Sequence, residues 1–252
     1  MIRFENVNKT YDKRNYVLKD FNITINNGEF VFIMGPSGAG KTTFTKLLLL
    51  EEKVSSGMIY MGDGKTESRI DNLPQRKIPF LRRSMGFIFQ DFRLLENKTV
   101  YENVAYAMEI LGEPTSVIKK NVPLALEIVG LSGKEDAMPS MLSGGQKQRL
   151  CVARAIVNKP NVIVADEPTG NLDSELAKEI MDLLIKIKEY GKTVIVVTHA
   201  AELVNSYNER VITITDGRIT SDVKPGLENE VEAYIPAGVE VFGETSEEET
   251  VQ

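Results

Sequence analysis

The stretch GPSGAGKTT, residues 35–43, decides the fold class. It fits the P-loop pattern G-x-x-x-x-G-K-[ST] and stands between an apolar run at residues 29–34 and a helical pattern after Lys41. In such a loop the backbone N–H groups surround phosphate oxygens, and the positive end of the next helix dipole faces the same anion. We expect Lys41 to bridge β- and γ-phosphates and the Thr42 hydroxyl to ligate Mg²⁺. The expected phosphate-binding residues are Gly35, Pro36, Ser37, Gly38, Ala39, Gly40, Lys41, Thr42 and Thr43.

Outside this loop, strand patterns alternate with helical ones. Apolar runs or apolar–polar alternation predict strands near residues 2–7, 21–25, 29–34, 58–61, 86–89, 162–165, 193–197 and 210–215. Predicted helical stripes contain Val100, Val104, Ala107, Met108 and Leu111, then Ile118, Val122, Leu126 and Val129, and later residues 176–187. This alternation predicts an α/β domain with a parallel sheet, interrupted by a helical subdomain at about residues 92–158.

Two neighbouring carboxylates follow a later apolar strand, in VIVADEPTGNLD, residues 162–173. Nucleotide sites of open α/β sheets lie at the carboxyl ends of strands, where Asp166 would be delivered. We expect Asp166 to hold Mg²⁺, directly or through water, and Glu167 to act as general base on the attacking water. Capping of the next turn is the structural alternative. The P-loop alone leaves a kinase or a GTPase open, although the guanine-reading motif N-K-x-D is absent from the sequence.

The stretch LSGGQKQR, residues 142–149, predicts a second phosphate-binding helix start. Ser143, Gly144, Gly145 and Gln146 open this helix, and a helix N-terminus binds anions. One chain would then have two phosphate-binding motifs and one nucleotide site. We infer that the second motif serves the ATP of another copy, so that a homodimer holds ATP in trans.

Residues 1–220, with these three motifs, resemble the ABC ATPase family, whose signature motif is LSGGQ. The resemblance implies an ABC-type nucleotide-binding domain over residues 1–222, with ATP and Mg²⁺ as cofactors. Its expected parts are a RecA-like parallel-sheet core, an antiparallel β subdomain and a helical signature subdomain.

The resemblance also implies roles for four isolated residues. Tyr11 would stack on adenine, and Gln90 would sense Mg²⁺ and the attacking water and link to a membrane partner. Asp173 would communicate across the dimer, and His199, the one histidine, would contact the γ-phosphate. The structural alternatives are a surface tyrosine, a strand-end glutamine, a helix N-cap and a packed histidine.

Within the family, the run IPFLRRSMGFIFQDFRLLENKTVYENVA, residues 78–105, resembles the bacterial cell-division branch. This implies an ATPase at the cytoplasmic face of the cell membrane, held there by an integral membrane partner that controls peptidoglycan hydrolases. A lipoprotein, lipid or drug exporter motor and an ATP-dependent dimerisation scaffold are the alternatives. The sequence departs from the pattern at Ala200 after the histidine, in a longer connector at residues 62–77, and in its C-terminal tail.

Charge and composition agree with a globular protein with no nucleic-acid-binding face. Eight of the 36 acidic residues lie in residues 225–252, which contain no Lys or Arg, so the other 28 nearly balance 30 basic residues. Residues 223–252 are therefore predicted to be a flexible acidic tail, with a short docked strand at Val239, Val241 and Phe242 as the alternative.

The longest apolar runs are too short to span a bilayer. A single cysteine, Cys151, predicts inert packing and a reducing compartment. A basic cluster, Arg76, Lys77, Arg82 and Arg83, predicts a solvated face or a contact with a partner or anionic lipid.

Overall fold

A computed structural model describes residues 1–12 and 15–224, and within them the chain forms ten strands and seven α-helices. The strands are β1 (Ile2–Thr10), β2 (Tyr16–Ile25), β3 (Phe30–Met34), β4 (Ser56–Gly62), β5 (Glu67–Arg69), β6 (Met85–Ile88), β7 (Val162–Asp166), β8 (Thr193–Val197), β9 (Arg210–Thr215) and β10 (Arg218–Val223). The helices are α1 (Lys41–Leu48), α2 (Ile78–Arg83), α3 (Val100–Glu109), α4 (Thr115–Ile128), α5 (Gly144–Ile156), α6 (Ser174–Glu189) and α7 (Ala201–Asn205).

The central sheet has six strands in the order β10-β9-β3-β8-β7-β6. All of its neighbouring pairs are parallel except β10 with β9. The parallel strands therefore end at one edge, where the P-loop follows β3 and Asp166 ends β7. This edge is where a doubly covered α/β sheet binds its ligands.

The middle strands are apolar throughout because both faces of the sheet are covered. Along β3, Phe30 and Phe32 pack into one buried cluster with the helices α3 to α6. Val31 and Ile33 point to the other face and pack with α1, β1 and β2. A period of two thus divides one continuous apolar run between two cores.

The second sheet is antiparallel and has the order β2-β1-β4-β5. It packs over α1 through an aromatic group, in which the Phe44 ring lies 5.1 Å from that of Phe4 and 5.9 Å from that of Phe21. This contact fixes the helix that begins in the P-loop. The expected fold class, a parallel-sheet core with an antiparallel β part and a helical part, is confirmed.

We expect Phe44→Ala to lower the free energy of unfolding by about 3–5 kcal/mol, because it leaves a cavity in a close-packed core. Phe44 is fully buried. Urea unfolding followed by circular dichroism would measure the loss. Lys46→Ala, an exposed position on the same helix, should change stability by less than about 0.5 kcal/mol. Equal effects of the two substitutions would contradict this assignment of the α1 core.

Several sequence predictions need correction. Leu111 lies beyond the end of α3 and is 38% exposed, so the buried stripe stops at Met108. The helical pattern is also interrupted between α4 and α5 by a turn-rich segment. Arg82 is not simply solvated, because its guanidinium donates to the carbonyl oxygens of Leu49 (2.8 Å) and Leu50 (3.2 Å). The elements β5, β10, α2 and α7 were not predicted.

The domain boundary at residue 222 stays a prediction, and β10 continues one residue past it, to Val223. The predictions for residues 225–252, including the alternative strand at Val239, Val241 and Phe242, lie outside the described residues. In the part of the chain that is described, no helix has the length and apolar character to cross a membrane. Cys151 is fully buried, and burial raises the pKa of its thiol to about 12, so it is inert packing as expected.

Candidate active site

A cavity of about 760 Å³ opens at the carboxyl edge of the parallel strands. Its lining combines the P-loop with residues that follow three other strands, β6, β7 and β8. The lining residues are Val17, Pro36, Ser37, Gly38, Gly40, Lys41, Thr42, Thr43, Gln90, Asp166, Glu167 and His199. Residues far apart in the sequence thus meet at one concave, polar place.

The P-loop takes its shape from glycines at positions that exclude a side chain. A Cβ on Gly35 would overlap the carbonyl oxygen of Ile214, and one on Gly40 would lie 2.7 Å from the carbonyl oxygen of Val17. Gly40, with φ of 107°, also has a backbone conformation that L side chains rarely adopt. The loop therefore packs closely under β2 and β9, and α1 starts directly after it at Lys41.

Lys41 lies over the loop with its ammonium group among backbone carbonyls. Its Nζ donates to the carbonyl oxygens of Gly35 (2.7 Å) and Pro36 (3.0 Å). Partial burial lowers the pKa of Lys41, against the charges of Glu167 and Asp166, which raise it. A cation held this way has its third N–H free for a phosphate oxygen, and an anion in the cavity would offset its lost hydration.

Asp166 is a carboxylate in a place that disfavours its charge. Burial, and next the charge of Glu167, raise the pKa of Asp166. The Thr45 hydroxyl donates to Asp166 Oδ2 at 3.5 Å. A divalent cation would relieve both costs, and hard oxygen ligands are those that Mg²⁺ prefers. The residues present therefore fit Mg²⁺, with the Thr42 hydroxyl and the Gln90 amide on the same cavity wall.

Glu167 points into the cavity and touches the predicted histidine. Its Oε1 lies 2.8 Å from His199 Nδ1, and its side chain is 15% exposed against 66% for His199. The residue has φ of 49°, in the left-handed region that is costly for a non-glycine residue. Its backbone N–H is held by the carbonyl oxygen of Val197 at 2.8 Å. The bonds to Val197 and His199 hold this strained turn, which places the Glu167 carboxylate at the site.

Gln90 and the loop after it are tied to two other segments. Asn171 Nδ2 donates to the carbonyl oxygen of Gln90 at 3.0 Å. Further on, the Arg154 guanidinium on α5 donates to the carbonyl oxygens of Phe92 (2.7 Å) and Arg93 (2.5 Å). Both of these residues have positive φ, 58° and 48°. The signature helix therefore contacts the glutamine loop directly, a contact that the sequence motifs alone do not reveal.

The second predicted phosphate-binding turn forms a helix start, and its residues are not among those that line the cavity. Ser143 Oγ accepts from the backbone N–H of Gln146 at 3.3 Å, and Gln146 Oε1 accepts from that of Ser143 at 3.1 Å, a capping box. Asp173 caps α6 by accepting from the Leu176 N–H at 2.9 Å. Within residues 1–12 and 15–224, neither Ser143, Gly144, Gly145 and Gln146 nor Asp173 lines the cavity.

The remaining predicted residue, Tyr11, lies beside the P-loop. Its ring is 55% exposed, and its hydroxyl is 3.5 Å from the Thr43 Oγ1. The Lys9 ammonium lies over the ring, 4.5 Å from its centre, so a stacked base would use the other face. Val17 and Thr45, which also touch the site, were missed because neither belongs to a motif. No sequence signal marks Val17, whose carbonyl oxygen would lie 2.7 Å from a Cβ on Gly40.

This fold and cavity define a P-loop nucleotide hydrolase. The ABC transporter family matches residues 18–170. The cell division ATP-binding protein FtsE of Mycobacterium tuberculosis is 46% identical over 228 residues, covering 90% of this chain and 97% of that protein. FtsE of Bacillus subtilis is 46% identical over 226 residues, with 90% and 97% covered. The chain belongs to the ABC transporter family and is an ABC-type ATPase.

A solved structure agrees with this assignment. A dimeric ATP-binding cassette in a post-hydrolysis state, bound to ADP and Pi, superposes with a TM-score of 0.78 at 36% identity. The match covers 89% of this chain and 98% of that one. Both comparisons leave about a tenth of this chain unmatched while they cover nearly the whole of the relatives.

Proposed function

We propose that the cavity binds ATP and hydrolyses it with the residues predicted from the motifs. The observation that carries this is the meeting of Lys41, Asp166, Glu167 and His199 around one concave site. Lys41 and the P-loop amides hold the phosphates, and Glu167 accepts a proton from the attacking water. His199 orients the Glu167 carboxylate through its 2.8 Å contact and faces the γ-phosphate. Asp166, Thr42 and Gln90 would hold Mg²⁺, which would neutralise charge on the phosphates.

We propose further that two copies enclose two ATP molecules, each between one P-loop and the other chain's Ser143–Gln146 turn. The support is that this turn offers backbone donors at a helix start, while none of its residues is among the described residues that line the ATP cavity of its own chain. A solved relative is itself a dimer. Asp173 lies next to this turn through Leu172 and Leu176, which touch the positions of Gly144 and Gly145. This neighbourhood supports the proposal that Asp173 communicates with the other copy.

Mixing two inactive variants tests the shared site. Lys41→Ala removes the phosphate contact of a chain's own P-loop and leaves its Ser143 turn intact. Ser143→Arg blocks only the turn. Each variant alone should be inactive. The mixture should regain part of the wild-type ATPase rate, because a mixed dimer contains one site built from the two intact halves. No recovery, with dimers detected by light scattering, would contradict a site shared between chains.

The complex that this ATPase serves is proposed from its relatives. We propose a cell-division complex in which the chain acts with an integral membrane partner similar to FtsX, and by mechanotransmission regulates peptidoglycan hydrolysis. The support is the printed function of the relatives, cell division ATP-binding proteins. The loop at residues 92–95, clamped by Arg154 and following Gln90, joins the ATP cavity to the surface. Closure around ATP would move this loop and the partner with it.

Co-purification from detergent-solubilised membranes tests the partner. We expect an FtsX-like membrane protein to be retained by the wild-type chain and by Glu189→Arg, at the far end of α6. Glu96→Arg, exposed beside the loop, should weaken the retention. Recovery of an exporter's membrane subunit instead would contradict the cell-division assignment without affecting the ATPase.

A further inference from the structure

A second cavity, of about 380 Å³, lies at the opposite edge of the parallel sheet from the ATP cavity. It is bounded by α4, the end of α6, and the turns that enter β7 and β8. Its apolar wall includes Leu124, Ile128 and Tyr190, which are 47%, 56% and 81% exposed. Hydration of these three large apolar side chains costs free energy.

Three lysines stand around this apolar wall: Lys159, Lys186 and Lys192. Among the described residues, none of them forms an ion pair with a carboxylate. Lys192 Nζ donates to the carbonyl oxygen of Lys159 and to Asn161 Oδ1, both at 3.3 Å, which leaves its charge uncompensated. By contrast, the nearby Lys188 pairs with Glu209 at 2.8 Å. The cavity therefore suits an apolar segment that carries negative charge.

The chain itself contains such a segment. Residues 225–252 include eight Glu and no Lys, Arg or Asp, and the stretch VEVFGE at residues 239–244 joins apolar side chains to two of those glutamates. The matches with its relatives cover 90% of this chain and 97% of each relative.

The place where the described chain ends brings this segment within reach. β10 runs antiparallel to β9 with Val223 opposite Val211, so it ends at the edge where β9 begins. Lys224 Nζ also lies 3.1 Å from Glu29 Oε1, just before β3. The cavity lies at this same edge, and β7 is four strand spacings from β10, about 19 Å at ~4.8 Å each. Residues 225–238 extend to about 45 Å at most, which is more than sufficient.

We propose that this cavity binds residues 239–244 of the same chain. Val239, Val241 and Phe242 cover the exposed apolar wall, while Glu240 and Glu244 lie among the three lysines. Attachment to the same chain gives the segment a high effective concentration, so a weak contact is enough. Docking joins α4 of the helical part to α6 of the sheet core at a point remote from the ATP cavity.

The chain contains no tryptophan, so Phe242→Trp in the full-length protein places a single fluorescent reporter in the segment. We expect a blue-shifted emission and acrylamide quenching weaker by about twofold or more than in urea, because a buried ring is shielded from water-borne quencher. Adding Lys159→Glu and Lys186→Glu, both exposed positions, should raise the quenching to the urea value. Adding Lys134→Glu and Lys178→Glu, also exposed and outside the cavity, makes the same charge change and should leave the reporter shielded.

A reporter that is as accessible in the parent protein as in urea would overturn the proposal. Equal effects of the two charge-reversal pairs would also overturn it, since they would show a general electrostatic response. Shielding that falls on dilution would overturn it in favour of docking onto a second copy. Circular dichroism on each variant confirms that the fold is kept, which the exposure of all four lysines favours.

Discussion

Glu167→Gln should retain ATP binding and lose hydrolysis. The amide keeps the size of the side chain and a hydrogen-bonding group for the 2.8 Å contact with His199 Nδ1, but it cannot accept a proton from the attacking water. Loss of a general base lowers turnover by about 10²–10⁴-fold. Phosphate release under saturating ATP gives the rate, and equilibrium binding of a fluorescent ATP analogue gives the affinity.

The matched control is Glu189→Gln, the same chemical change on an exposed residue at the end of α6. It should leave both rate and affinity unchanged. The Glu167→Gln protein should also accumulate as an ATP-bound dimer, since closure precedes the missing chemical step. A turnover rate close to that of the wild type would remove Glu167 from the role of base and leave His199 to be tested in its place.

The sheet and the P-loop were predictable because their signals are local. A strand that is covered on both faces, such as β3, needs a continuous apolar run. A position where a Cβ would overlap the neighbouring strand, such as Gly40, needs glycine. The same reasoning located the carboxylates at the end of β7. Strand order follows less directly, since it depends on crossovers that the sequence pattern does not specify.

The contacts inside the site were not predictable, because they join distant segments through side-chain direction. Glu167 and His199 are 32 residues apart in the sequence. Glu167 has a left-handed backbone, which the sequence does not predict because glutamate has no preference for that conformation. The clamp of Arg154 on the loop after Gln90 is similar, since an arginine inside a helix ordinarily predicts a solvated side chain. Leu111 failed for the opposite reason: its spacing continued the apolar stripe after the helix had ended.

Lys41→Ala should strongly weaken ATP binding. In the structure the ammonium group is partly buried, its pKa is lowered by that burial, and carbonyl oxygens of Gly35 and Pro36 hold it over the loop. The third N–H of this ammonium is free for a phosphate oxygen, and a hydrogen bond between charged groups is worth about 1.5–3 kcal/mol, so its loss raises Kd by roughly 10–10²-fold. Titration calorimetry with ATP would measure the change.

Lys46→Ala is the control, because it removes the same side chain from an exposed position on the same helix. Its affinity should equal that of the wild type, and both variants should unfold near the wild-type midpoint. The contrast separates a phosphate contact from the general positive charge of α1, which both substitutions lower equally. If Lys41→Ala bound ATP as the wild type does, the P-loop amides and helix dipole would suffice for the phosphates, and the bridging role of Lys41 would be wrong.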